Sequence, residues 1–528
     1  MSDPQAPVPA RSPLWLIVRL LAGAGVAVSA AWWVPGLEDY RPWAPGDGVP
    51  VLRRLLPGGG AASVVEDART GLVTASAVGG EAGEGTFEPV AVLTPEEAAA
   101  IVAEATATGN AEPGSDAAKA EEAATLARVG GALAADAARA ARQPSSYGMG
   151  FVQPIEDAGH RGLSAWYRAL GAAPSRVVRA LHFGDSTIAA DGIARTVRAR
   201  LQARFGAGGP GFVSAAMDPR WNKRYDVTVR RGGTWDTTSL LEGGAAGNRY
   251  GLGGTVAIGD PGANVAIDAL DGAGKPVALR HVELWYQGGA STGAVSAKTS
   301  EGPLGGRPEG AASRTDLFWE ATLNGGASRL TYSVSGGPVP FYGVVLEAGA
   351  GVTWEALGIT AVGSGAYGRQ DAGHLRDQLT HRRPDLIVMM LGGNDAGLRG
   401  LASGDPTAYK AYYLAGLQRI RGPLPEASCL LVTPLDQGVR RSGKVQTKPA
   451  IPTIVEAQRQ LAAEQGCAFW SAFDAMGGNG SFQEWMGHKP PLAWTDLMHL
   501  STAGQEIIGN LLADALLADY EAFSGVQR

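Results

Sequence analysis

Three short peptides, widely separated along the 528 residues, carry side chains suited to attack on a carbonyl carbon. They are Gly184-Asp185-Ser186, Gly392-Gly393-Asn394-Asp395 and Asp496-Leu497-Met498-His499. A serine hydroxyl is a poor nucleophile at neutral pH, so it needs a neutral imidazole to take its proton and a carboxylate to fix that imidazole's tautomer. Ser186, His499 and Asp496 supply the three groups. The amide of Asn394 can donate to the oxyanion that forms as the carbonyl is attacked. Taken singly, each peptide has a plainer explanation. Gly-Asp-Ser is an ordinary strand-to-helix turn capped by serine, Asn-Asp is a common turn, and Asp496 and His499 can be solvated surface groups. Their joint occurrence in this order, each near the edge of an expected strand or helix, points to acyl chemistry.

The elements that must position them follow from hydrophobic pattern. Val177 to Phe183 is a short apolar strand that runs directly into Gly184, and Ile193, Val197 and Leu201 then repeat at helical spacing until Gly206. Leu386–Leu391 and Cys429–Thr433 are continuous apolar runs of strand length, the mark of strands covered on both faces. Helical stretches near Asp371–Arg382, Tyr409–Arg421 and Thr453–Gln465 separate them, which predicts an α/β fold with a doubly wound parallel sheet. Ser186 then falls at the C-terminal edge of the sheet, where such folds place ligands and where helix amides point. Asp496 and His499, three residues apart, can share one side of a tight turn, with Ser501 or Thr502 capping a helix that carries Ile507, Ile508, Leu511 and Leu512.

Residues 215–357 read differently. Tyr225–Val229, His281–Tyr286 and Arg329–Val334 alternate in strand fashion among glycine-rich turns, which predicts an inserted all-β sandwich. The catalytic domain is then discontinuous, with 151–214 as its first part and 358–528 as its second. Residues 37–150 read as an Ala/Gly-rich linker with short helices, one starting at Thr94-Pro95-Glu96-Glu97 and another after Asp116. Residues 1–36 hold an apolar run, Leu14–Val34, behind Arg11 and Arg19, the pattern of a signal peptide or membrane anchor. The expected location is therefore the periplasm or cell envelope, with membrane attachment if the segment stays uncleaved. Oligomeric state leaves no mark on the sequence.

Composition excludes other classes. With 45 Lys and Arg against 51 Asp and Glu, the net charge is -6, so no basic field exists to attract nucleic acid. The two cysteines, Cys429 and Cys467, cannot make a thiolate metal site; each opens an apolar run, and two buried thiols on neighbouring strands are expected ahead of a single disulfide. No His/Asp/Glu motif calls for a metal, and the chemistry requires no cofactor. Of the histidines, His182 belongs in a strand core, while His374 and His381 lie on a helix where solvent exposure is the default. Trp221, Tyr225, Trp235, Trp285 and Tyr286 are expected to pack the sandwich core, with stacking on sugar faces as the alternative.

At these residues the chain resembles the SGNH, or GDSL-like, hydrolases, whose catalytic Ser, oxyanion Asn and catalytic His match Ser186, Asn394 and His499. The segment Gly363-Ser364-Gly365-Ala366 is similar to the family's second block, which makes Gly365 the oxyanion glycine and Gly363 its reserve. The chain further resembles envelope peptidoglycan O-acetylesterases, which carry a carbohydrate-binding-module-like β domain after the first block. The similar stretches are Arg204-Phe205-Gly206 with Gly209 to Val213, Phe341 to Glu347, and Ala475-Met476-Gly477-Gly478 before Trp485. Thr187 stands where many relatives have His, a departure that bears on substrate preference. The resemblance implies a serine esterase that removes O-acetyl groups from a cell-envelope polysaccharide, with peptidoglycan as the leading candidate. The oxyanion donors would be the amides of Ser186 and Gly365 and the side chain of Asn394. Two alternatives remain open at this point: a polysaccharide O-acetyltransferase with the same triad, and a wall-binding protein without activity.

Overall fold

The computed structural model describes residues 153–526, apart from 219–221 and 311, together with two short antiparallel strands, Val65–Asp67 and Leu72–Thr74. The apolar segment Leu14–Val34, the linker helices and Trp221 lie outside the described residues. Among the described residues no helix is long and apolar enough to cross a membrane.

The apolar runs pair into a five-stranded, wholly parallel sheet. β1 (Val177–Gly184) lies between β2 (Gly351–Gly358) and β3 (Leu386–Met390), and β4 (Ser428–Val432) and β5 (Ala468–Trp470) follow, giving the order β2-β1-β3-β4-β5. Successive side chains of a strand point to opposite faces, so each strand feeds two cores. Leu181, Phe183, Ile387, Met389 and Leu431 pack with Leu375 and Leu379 of α3 (Ala372–Arg382), Tyr413 of α4 (Thr407–Arg421) and Ile454 of α5 (Ala450–Gln465). Val178, Ala180, Val388, Met390 and Leu430 face the other way. They meet Trp166 of α1 (Ser164–Gly171), Ile193 and Val197 of α2 (Gly192–Phe205), and Ile508 and Leu512 of α6 (Thr502–Val526). Helices on both faces make the sheet doubly wound, as the alternation of strands and helices predicts. Each fully buried aliphatic side chain contributes roughly 1.5–3 kcal/mol, which is why this layer is rigid enough to hold a site at its edge.

Between β1 and β2 the chain builds two antiparallel sheets. One runs, in spatial order, Gly302–Pro303, Ala294–Thr299, Arg329–Ser335, Asn264–Ala269, Val227–Gly232. The other runs Thr315–Thr322, His281–Gly288, Val339–Glu347, Thr255–Gly259, Trp235–Ser239, with Gly211–Val213 added against Val339–Glu347. Val265, Ile267, Leu284, Tyr332 and Phe341 from the two sheets share a core, forming the sandwich. Gly351–Gly358, which the sequence reading assigns to the end of the insertion, instead pairs in parallel with all of β1.

Phe212, Trp285, Tyr342 and Val345 from the insertion side pack in the same cluster as Leu181, Phe183 and Leu375, so the sandwich and the α/β layer are joined by continuous apolar contact. This packing overturns the expected exposure of two histidines. His374 on α3 is 1% exposed and bonds Asp316 Oδ2 and the Tyr250 carbonyl, each at 2.7 Å, while His381 lies 2.8 Å from Glu283. Both face the insertion; His374 is buried and His381 keeps only part of its side chain exposed. The cysteines are a second correction. Parallel pairing places Leu430 opposite Ala468, which brings the preceding Cys429 and Cys467 to a Cα separation of 4.7 Å, within bridging range, and they form a disulfide.

Candidate active site

The Ser186, Gly365 and Asn394 blocks emerge at one edge of the sheet. Gly184, Gly358 and Met390 are register partners at the ends of β1, β2 and β3, so the segments after them start side by side. Gly358 is required there: a Cβ on it would lie 2.2 Å from the Ala189 amide, inside the short helix Ser186–Ala189. Asp185 caps that helix by accepting from Thr187 N at 2.9 Å, and Ser186 occupies its first position, where an amide has no acceptor within the helix.

His499 comes from the opposite end of the chain. Its Nε2 lies 2.9 Å from Ser186 Oγ, and its Nδ1 lies 2.8 Å from Asp496 Oδ2. The turn that carries them is built by Asp496 itself, whose Oδ1 accepts from Met498 N at 2.9 Å and His499 N at 3.0 Å. Leu497 at φ +65° is the strained residue of this turn, a conformation rare for a branched aliphatic. It is held by Gly438 N donating to its carbonyl at 2.8 Å and by the Ala493–Leu500 bridge beneath. Burial alone would raise the Asp496 carboxyl. The hydrogen bonds from the His499 ring and from the His499 and Met498 amides outweigh it and hold the group down at about 2. The bond to Asp496 in turn raises His499 above the ordinary imidazole value. An ionised carboxylate can only accept, so the proton of neutral His499 sits on Nδ1 and Nε2 is free to accept from the serine.

Asn394 and Gly365 lie in two segments laced together. Asn394 Nδ2 donates to the Val362 carbonyl at 3.0 Å, which engages one of its two amide hydrogens, and Asp395 accepts from Ser364 N at 3.1 Å. Gly365 is the second residue of a 3-10 helix, Ser364–Arg369, and a Cβ there would meet the Tyr412 ring at 2.3 Å. A Cβ on Gly393 would lie 3.5 Å from Asp185 Oδ2, so the Asn394 segment abuts the Ser186 segment directly. Asp185 and Asp395 are thus two neighbouring buried carboxyls. Desolvation raises both, and Asp395 reaches about 6 despite its bonds from Ser364.

Two features near the site escape sequence reasoning. Trp494 is 52% exposed, two residues before Asp496, and its amide donates to the His499 carbonyl at 2.8 Å. A lone exposed tryptophan cannot be told from a core one without the fold. Lys448, its charge disfavoured by burial, bonds Gln437 Oε1 at 3.0 Å and lies close enough to act on Asp496 and His499. Three of the aromatics for which sugar stacking was the alternative are used in packing, as expected. Trp285 and Tyr286 are buried, and Trp235 packs against Tyr332 and Phe341 with its Nε1 bonded to the Gly232 carbonyl. His182 is fully buried, and desolvation lowers it to about 3, as expected of a strand histidine.

Residues 325–507 match the GDSL-like Lipase/Acylhydrolase family, a span that holds Gly365, Asn394, Asp496 and His499. No curated protein matches the chain. Among solved structures, a peptidoglycan O-acetylesterase in action aligns with a TM-score of 0.58 and 24% identity, covering 70% of this chain and 99% of that one. A carbohydrate esterase family 3 protein from Talaromyces cellulolyticus aligns at 0.24 with 13% identity over 32% of this chain and 73% of that one. A family two carbohydrate esterase from Clostridium thermocellum, in complex with cellohexaose, aligns at 0.23 with 13% identity over 55% of this chain and 99% of that one. The first of these shares the fold over 70% of this chain.

Proposed function

We propose that this chain, which carries a GDSL-like acylhydrolase domain and is by that match an SGNH-type esterase, removes O-acetyl groups from a cell-envelope polysaccharide through Ser186, His499 and Asp496. The observation that carries the reading is the continuous hydrogen-bonded line from Ser186 Oγ to His499 Nε2 and from His499 Nδ1 to Asp496 Oδ2. Ser186 Oγ attacks the acetyl carbonyl while His499 Nε2 takes its proton. The resulting imidazolium is stabilised by Asp496, then returns the proton to the departing sugar oxygen. Water, deprotonated by His499, attacks the acetyl-enzyme and releases acetate. The Ser186 and Gly365 amides and the second hydrogen of Asn394 Nδ2 serve in this reading as donors to the developing oxyanion, favouring the transition state over the ground state.

Peptidoglycan is the leading substrate, supported by the likeness to a solved peptidoglycan O-acetylesterase and by the sandwich beside the catalytic layer. The disulfide supports an oxidising compartment outside the cytoplasm, in line with the N-terminal export pattern. A transferase differs only in whether water or a sugar hydroxyl resolves the acetyl-enzyme. Acetate release and acceptor acetylation, both followed on acetylated peptidoglycan and acetyl-xylooligosaccharides, therefore test the proposal directly. Acetate release from peptidoglycan that is abolished by Ser186→Ala supports it; acetylated acceptor in place of acetate would make the chain a transferase. A folded Ser186→Ala protein of unchanged turnover would refute the mechanism.

A further inference from the structure

Within the insertion, two carboxylates oppose each other in a way that strands avoid. Glu283 and Glu320 are direct cross-strand partners in the antiparallel pair of His281–Gly288 with Thr315–Thr322, and like charges directly opposite destabilise a sheet. Arg382 eases the charge on Glu283 while paired with Glu347 and Glu355, and His381 Nε2 lies 3.6 Å from Glu320 Oε1. On the same face, two residues before Glu283, His281 places Nε2 2.9 Å from Glu283 Oε1. Ligand atoms from His281, Glu283 and Glu320 all lie within 4.8 Å of one another.

Glu283 cannot turn away from this arrangement. Its Oε2 accepts from Trp285 Nε1 at 2.6 Å and contacts His381 Nε2 at 2.8 Å, and the His381 ring is itself stacked on Phe318 at 4.0 Å. Oε1 is thereby directed at His281. Glu320 and His381 also line an open cleft with Phe318, Thr380, Asp377, Arg376 and Arg383, so the cluster is reachable from solvent at Glu320. We propose that His281, Glu283 and Glu320 form a binding site for a divalent transition-metal ion, each supplying one ligand atom, with water from the cleft completing the coordination. One imidazole and two carboxylates suit zinc and its neighbours in the first row, whose bonds of about 2.1 Å set adjacent ligand atoms roughly 3–4 Å apart. His381 and Trp285 are the orienting partners that hold the second oxygen of a ligating carboxylate. Because His381 lies in the last turn of α3, a bound ion would tie the insertion to the helix that follows the Ser364–Arg369 segment. This site is independent of the esterase chemistry.

The test uses the full chain after chelator treatment, titrated with zinc at pH 7.5 by calorimetry and melted with and without zinc. One equivalent should bind and raise the melting temperature. Glu320→Gln and His281→Ala, both at partly exposed side chains, should abolish that equivalent, and His381→Asn should weaken it by roughly 10–100-fold. Cobalt in place of zinc should give visible absorption bands in the wild type and none in Glu320→Gln. Absence of saturable binding would overturn the site. Binding that Glu320→Gln and His281→Ala leave unchanged would overturn it as well, by placing the ion elsewhere.

Discussion

Replacing Asp496 by Asn separates its two jobs. Asp496 Oδ1 accepts from the Met498 and His499 amides, and Oδ2 accepts from His499 Nδ1. An asparagine can satisfy both backbone donors only with its carbonyl oxygen, which turns its NH2 toward Nδ1. The ring must then accept at Nδ1 and carry its proton on Nε2, where it can no longer take the proton of Ser186. Loss of the correct tautomer costs about 10⁴-fold in kcat for triads of this kind, about 5 kcal/mol of transition-state stabilisation. The fold should be nearly unaffected, because the turn keeps its acceptor and Leu497 keeps its support. Asp496→Ala, by contrast, removes that acceptor too and should lower stability by about 1 kcal/mol for each backbone bond left unmade. Hydrolysis of an aryl acetate, with thermal melting as the control, distinguishes these. An Asp496→Asn protein within about tenfold of wild-type kcat would refute the tautomer argument and leave Asp496 as a turn residue only.

The pH dependence has a defined sign: His499 must be neutral to act, and its bond to Asp496 raises it, so the acid limb of kcat/KM should have its midpoint above the ordinary imidazole value near 6.5 and move down in Asp496→Asn. A limb unchanged by that substitution would assign the titration elsewhere. Asn394→Ala should lower kcat by about a hundredfold with a smaller change in KM, since its amide is used chiefly as charge develops; steady-state kinetics with an unchanged kcat would restrict Asn394 to its bond with Val362. Replacing Cys429 and Cys467 by Ser opens a bridge of sequence separation 38, for which chain entropy predicts a loss of about 4 kcal/mol. Denaturant unfolding of wild type and double variant measures it, and equal midpoints would contradict that loss.

The Ser186 and Asn394 blocks were legible because each lies just beyond an apolar run, and strand ends are what periodicity locates best, while Asp496 and His499 stand just before the last helix. The parallel sheet followed from the same runs. What escaped lies where the insertion touches the α/β layer. Trp285 and Tyr286 are consecutive, so alternation puts one of them outward, yet both are buried: Trp285 enters the core shared with α3 and Tyr286 the sandwich core. Both were expected in the sandwich core, and nothing local says that Trp285 packs with the α/β layer instead. His374 and His381 were misread for the same reason, since the surface that covers them is distant in sequence. The disulfide depended on strand neighbours and register, which no composition reveals. Gly365 was reachable only through the family's second block; its locking contact, the Tyr412 ring, belongs to another helix.

Ser186 and His499 stand 313 residues apart, and α6 must dock on α2 before they can meet, with Gly509 packed against Ile193 and Thr196. Contacts of such separation form late, after the loops between them have closed. The nucleophile is therefore made early and left inert while the insertion, the β3 and β4 strands and the last helix are still being synthesised and folded. A chain interrupted anywhere before residue 499 would hold a serine without a base. Hydrolytic competence in this sense reports that synthesis has passed His499 and that the last helix has docked on α2.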